Sequence, residues 1–264
     1  MYDLLVHLEA QTDEILLDYA FALARHLDAH LTGVRVVSPD AALLVLPDPL
    51  AFMDGEQAQA NEHASWWKAL CASRGLAGDW EVHRGIHRRA IARRASLADF
   101  VLGRPSMAET KAWPLPWPLD RALYAGSAPA ILLPAGCRAP GAPATVALAW
   151  NGTAEAASAI HAALPILQRA IEVVVLDGET HGEDDPRPPL PLGPWLARRS
   201  IAARWEPFEA ADAVGPALLE RAEASACDLL VMGAWGHTRA HEYLLGGTTR
   251  HALAHARSPL LLSP

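Results

Sequence analysis

Cysteine is scarce in this sequence. There are three, Cys71, Cys137 and Cys227, scattered and without CxxC spacing, which argues against a disulfide framework and against a zinc knuckle. Basic residues are outnumbered, with 22 Lys and Arg against 30 Asp and Glu for a net charge of -8, so a broad basic face for nucleic acid or anionic lipid is not expected. No apolar run reaches the length that crosses a bilayer. The opening residues MYDLLVHLEA meet an acid at position 3 and carry no basic stretch ahead of the apolar run, so no export signal is read and the expected location is cytoplasmic. Several chemical signatures are missing as well. There is no G-x4-GK[ST], no GxGxxG after the first strand, no GxSxG and no HExxH, which removes the P-loop, dinucleotide, serine-nucleophile and zinc-protease readings.

What is present is a long, apolar chain built twice. With 264 residues and 51% hydrophobic content it can bury a substantial core in one large domain or two modest ones. The segment from Asp3 to Val37, DLLVHLEAQTDEILLDYAFALARHLDAHLTGVRVV, runs from an apolar stretch through a polar turn and a helical pattern into a β-branched run, and Thr145 to Gly178 does the same. Leu16, Ala20, Leu23 and Leu27 in the first copy, and Ala156, Ile160, Ala163 and Leu167 in the second, step along one helical face. The halves also end alike, SLADFVLG then SAPAILLPAG against SACDLLVMG then ARSPLLLSP. The repeat predicts a first domain over 1–135, a Pro/Gly/Ala linker over 136–143 and a second domain over 144–264. Alternating strands and helices predict an α/β fold of two tandem doubly wound domains, each with a mostly parallel five-stranded sheet flanked by helices. The last strands AILLPA and PLLLSP are expected to pair the halves as an internal pseudo-dimer.

In such sheets ligands bind beyond the carboxyl ends of the strands. In the second half that rule selects AWNGT, after the strand at 145–149, and GAWGHTRAHEYLLGGTTR, residues 233–250. Glycine lets a backbone approach an anion closely, and the N–H groups opening a helix point at it. Spacing alone leaves two readings open, a phosphate cradle or glycines that turn corners.

Gly233-x2-Gly236-x9-Gly246 resembles the G-x2-G-x9-G-[S/T] signature of the nucleotide-binding universal stress proteins, and the resemblance extends over both halves. It implies a stress-response regulator that binds an adenine nucleotide, ATP or AMP with Mg²⁺ left open, in the second domain and acts through conformation or partner choice. The resemblance places Ala149, Trp150, Asn151 and Thr153 around the adenosine, Leu176 against adenine, Met232, Gly233, Gly236 and His237 toward ribose and phosphate, and Gly246, Gly247, Thr248 and Thr249 at the phosphates. Two positions depart from the family pattern. Asn151 stands for an acid, and Gly247 for a hydroxyl residue. The resemblance implies no obligatory catalysis, at most a slow ATP hydrolysis. The alternative is a nucleotide-independent protein-interaction module, with partners the sequence does not name.

The first half lacks the glycines. GRPSMAETKAWPLPWPLD keeps only Gly103, and Glu9 stands in the first-strand loop, so one nucleotide site is expected per chain. Trp113 and Trp117 read as core or as a contact surface. His251 and His255, like His237 and His241, stand four apart without an arranged third ligand, and no metal site is assigned. The segment EVHRGIHRR reads as a solvated loop entering a helix, and Asp177 to Pro194 as an acidic, Pro-rich excursion placed to act as a lid.

Overall fold

Near-continuous apolar runs form the strands of this chain because parallel strands are covered on both faces. The computed structural model describes residues 1–9, 13–38, 48–105, 128–138, 141–178, 190–208, 213–234 and 247–263. Packing divides the chain into two compact units, the first reaching through Gly103 and the second holding every described strand from Ala130 onward.

The first unit runs β1 (Tyr2–His7), α1 (Glu14–Leu27), β2 (Ala29–Val37), α2 (Pro49–Ser73), β3 (Gly78–Arg84), α3 (His87–Ala95) and β4 (Phe100–Gly103). Its strands lie in the order β3-β2-β1-β4, all parallel. Asp13 caps α1 by accepting the Leu16 N–H at 3.1 Å, and Asp28 closes that helix in the left-handed region at φ 54°. Leu16, Ala20, Leu23 and Leu27 are all buried, as their spacing predicts. Trp67 on α2 is fully buried and stacks on Phe21, ring centroids 6.0 Å apart.

The second unit contains β5 (Ala130–Leu132), β6 (Thr145–Trp150), α4 (Ala154–Ala162), α5 (Leu164–Leu167), β7 (Glu172–Asp177), α6 (Leu192–Ala197), β8 (Arg204–Pro207), α7 (Val214–Ala224), β9 (Leu229–Gly233), α8 (Gly247–His255) and β10 (Leu260–Ser263). The order is β5-β10-β9-β6-β7-β8. Every pairing is parallel except β5 with β10, which is antiparallel in the register Leu260↔Leu132, Leu261↔Ile131 and Leu262↔Ala130. The apolar stripe of Ala156, Ile160, Ala163 and Leu167 is buried, but its helix is broken in two at Ala163, since Pro165 in the first turn of α5 cannot donate to the preceding turn.

The whole chain is therefore α/β, with mostly parallel sheets flanked by helices in two tandem units. No helix among the described residues is long and apolar enough to cross a membrane.

Candidate functional site

In the second unit β6 has β9 on one side and β7 on the other. The connection from β6 runs to β7 and that from β9 runs to β10, so they leave these two neighbours in opposite directions, and this is where an open α/β sheet forms a crevice. The crevice holds a cavity of about 160 Å³.

Three chain segments build its walls. The first is the exit from β6, where Asn151 Oδ1 accepts the Thr153 N–H at 3.3 Å and the Thr153 hydroxyl at 2.8 Å. Gly152 makes the turn possible at φ 72°. Thr153 Oγ1 then accepts the Ala156 N–H at 3.3 Å and caps α4. The second wall is the end of β9. A Cβ added to Gly233 would lie 2.7 Å from the Glu155 carbonyl carbon and 2.8 Å from the Ala156 nitrogen, so glycine here is what lets β9 approach the first turn of α4. The third is the start of α8, whose residues Gly247, Thr248 and Thr249 face the cavity. A Cβ at Gly247 would meet nothing within 4 Å.

The candidates named from sequence converge. Ala149, Trp150, Asn151 and Thr153 line this cavity, as do Leu176, Met232, Gly233, Gly247, Thr248 and Thr249. Gly236, His237 and Gly246 lie outside the described residues, as do Trp113, Trp117 and most of the supposed lid. Sequence reasoning missed Glu155, Ala156, Gly178, Phe208, Val214 and Leu218, which also line the cavity. The strand-and-helix repeat carries the signal for two of them, since Gly178 directly follows β7 and Val214 opens α7. Glu155 is the one acid among the described lining residues, and none of these carries a positive side chain. Among the described lining residues, the positive potential available to an anion is that of helix N-termini. On α8 the His251 and His255 rings stack at 4.3 Å, and His255 Nδ1 lies 3.0 Å from the His251 carbonyl.

The corresponding edge of the first unit is different. His7, the last residue of β1, is buried, and its Nε2 lies 2.9 Å from Nε2 of His87, the first residue of α3. The rings meet at right angles with centroids 4.6 Å apart. Burial, then the neighbouring His87 and Arg35, lower the His7 pKa to about 3. Burial and Arg35 lower that of His87 to about 4. Both imidazoles are neutral at neutral pH. Arg35 donates to the carbonyls of Leu8, at 3.4 Å, and of Glu9. A second cavity, of about 210 Å³, borders Glu9, Arg35, His63, Trp66 and Trp80. The EVHRGIHRR segment is not a solvated loop: Glu81 to Arg84 belong to β3, Glu81 holds His83 and Arg94 at 2.8 Å each, and His87 turns inward. Its polar composition concealed a half-buried edge strand.

The sequence model of the Universal stress protein family matches residues 205–264. No curated protein matches the chain by sequence. Among solved structures, a universal stress protein from Archaeoglobus fulgidus DSM 4304 is similar over 99% of this chain and 97% of its own, at 12% identity and a TM-score of 0.74. A functionally unknown protein from Pseudomonas aeruginosa PAO1 is similar over 100% of this chain and 92% of its own, at 15% identity and a TM-score of 0.58. At these identities the likenesses establish the fold, and the matched segment supplies the sequence evidence. Residues 205–264 thus match the sequence pattern of the universal stress protein family, and the whole chain shares the fold of a universal stress protein.

Proposed function

We propose that the second unit binds an adenine nucleotide, ATP or AMP, in the cavity at the ends of β6, β7 and β9, and that occupancy regulates the protein's conformation or partners in a stress response. One observation carries this reading. Ten residues selected from the sequence, spread from position 149 to position 249, line a single cavity.

The chemistry of the wall suits the ligand in parts. Leu176 and Met232 are buried apolar side chains on the strand ends and offer a flat base an apolar bed. Asn151 has its Oδ1 taken by Thr153, so it presents its amide N–H groups to a sugar or base acceptor. The first turn of α8, with Gly247, Thr248 and Thr249, offers backbone N–H groups and hydroxyls to phosphate oxygens. Gly247 supplies no hydroxyl but leaves open space in front of its backbone. Glu155 opposes an uncompensated phosphate and fits a nucleotide carried with Mg²⁺. The residues are arranged for binding, and the reading assigns no catalytic step.

The test is to denature the purified protein and identify any released nucleotide by mass spectrometry, then to titrate nucleotide-free protein with ATP and AMP by calorimetry, with and without Mg²⁺. Saturable uptake of one nucleotide per chain is expected. No uptake at millimolar nucleotide overturns the reading.

A further inference from the structure

The two units share a strand order, so their ligand-side edges can be compared position by position. β1 lies between β2 and β4 as β6 lies between β7 and β9. His7 precedes Glu9 by two residues as Ala149 precedes Asn151, and His87 opens α3 after β3 as Val214 opens α7 after β8. In the second unit Ala149, Asn151 and Val214 line the cavity. In the first unit their counterparts are two imidazoles and a carboxylate, and these meet. The His7 and His87 Nε2 atoms are 2.9 Å apart, and one ligand atom from each of His7, Glu9 and His87 lies within 4.8 Å of the others.

We propose that the first unit binds a borderline divalent transition metal of the Zn²⁺ type through His7, His87 and Glu9. Two imidazole nitrogens with one carboxylate oxygen select such an ion over Mg²⁺ or Ca²⁺, which prefer all-oxygen surroundings. Two nitrogens bound to a tetrahedral zinc stand roughly 3.3 Å apart, so the pair needs only a small side-chain opening to admit the ion. Without an ion one ring donates its Nε2–H to the other's lone pair, and the buried His87 Nδ1 is left with no hydrogen-bond partner among the described residues. Three protein ligands leave a coordination position free, and Glu9 also borders the 210 Å³ cavity, which gives an entry path and room for water or a small anion. Arg35 fixes the backbone carbonyls of Leu8 and Glu9 and so orders the carboxylate's attachment, while its charge works against the cation and sets the expected affinity in the micromolar range rather than below it. This site is independent of the nucleotide reading.

The test uses the full chain, stripped with chelator and titrated with Zn²⁺ by calorimetry, with Co²⁺ absorption as a second readout. One Zn²⁺ per chain is expected, with intense Co²⁺ d–d bands of low coordination number. Binding should weaken at least tenfold in His87→Ala and in Glu9→Gln, with unchanged circular dichroism. Glu9 is exposed, so Glu9→Gln stays informative even if a histidine variant folds poorly. The double variant His251→Ala/His255→Ala should bind as the parent does. Three results overturn the proposal: no uptake by folded protein at micromolar Zn²⁺, affinity unchanged in both His87→Ala and Glu9→Gln, or uptake lost in the His251/His255 variant instead.

Discussion

Asn151 Oδ1 accepts both the backbone N–H and the hydroxyl of Thr153, at 3.3 and 2.8 Å, and this pair joins the end of β6 to the first turn of α4. The same hydroxyl oxygen then receives the Ala156 N–H at 3.3 Å. Thr153→Ala removes the link and the cap together and should cost about 1 kcal/mol in urea unfolding. Thr153→Ser should cost less, since it keeps the oxygen. If the cavity holds a nucleotide, Thr153→Ala also weakens binding in calorimetry by releasing Asn151.

Two glycines on the cavity wall should respond in opposite ways. Gly233→Ala drives a methyl into backbone at 2.7 Å and should destabilise by about 1–3 kcal/mol, seen as a lower denaturation midpoint. Gly247→Ser enters open space and should leave the midpoint close to the parent's, while an added hydroxyl at the start of α8 tightens nucleotide severalfold. Equal loss of stability in the two variants would show that the wall is packed differently.

Glu155 tests the charge balance of the cavity. With no positive side chain among the described lining residues, its carboxylate repels phosphate directly. Glu155→Gln should strengthen ATP binding severalfold without Mg²⁺ and narrow the difference between titrations with and without the ion. An unchanged Mg²⁺ dependence would remove Glu155 from the phosphate end.

The start of α1 sets an acid-sensitive contact. Burial works to raise the Asp13 pKa, but the hydrogen bonds from Arg104, at 2.7 Å to each carboxylate oxygen, and from the Leu16 N–H hold it below its ordinary value of 3.8. The folded state therefore binds this proton less readily than the unfolded chain. The contact is at full strength above pH about 4, and its contribution is lost as pH falls through the lowered pKa. Asp13→Asn keeps an oxygen for the cap but loses the ion pair, so parent and variant should differ in unfolding free energy at neutral pH and converge in acid.

Much of this arrangement was legible in the sequence because it is periodic or local. Leu16, Ala20, Leu23 and Leu27 are buried where their spacing places them, and the residues after Leu148 and after Val231 reach one cavity because strand ends in such a sheet converge. Other features depend on distant encounters. His7 and His87 are 80 positions apart, and neither lies in a motif. The break at Ala163 depended on Pro165, which the apolar stripe passes over without a gap. Glu81 and His83 read as surface because edge strands tolerate polar side chains that pair with one another.

The antiparallel step between β5 and β10 has a practical consequence for the second unit. β10 is hydrogen-bonded to β9 on one side and to β5 on the other, so neither flank of this apolar strand is left open to recruit a foreign strand. A fragment beginning at residue 141 would leave Leu260 to Leu262 with a bare flank, the kind of template on which chains stack. Cut ahead of Ala128 instead, the same unit keeps β5 against β10 and should associate less than the shorter piece at equal concentration.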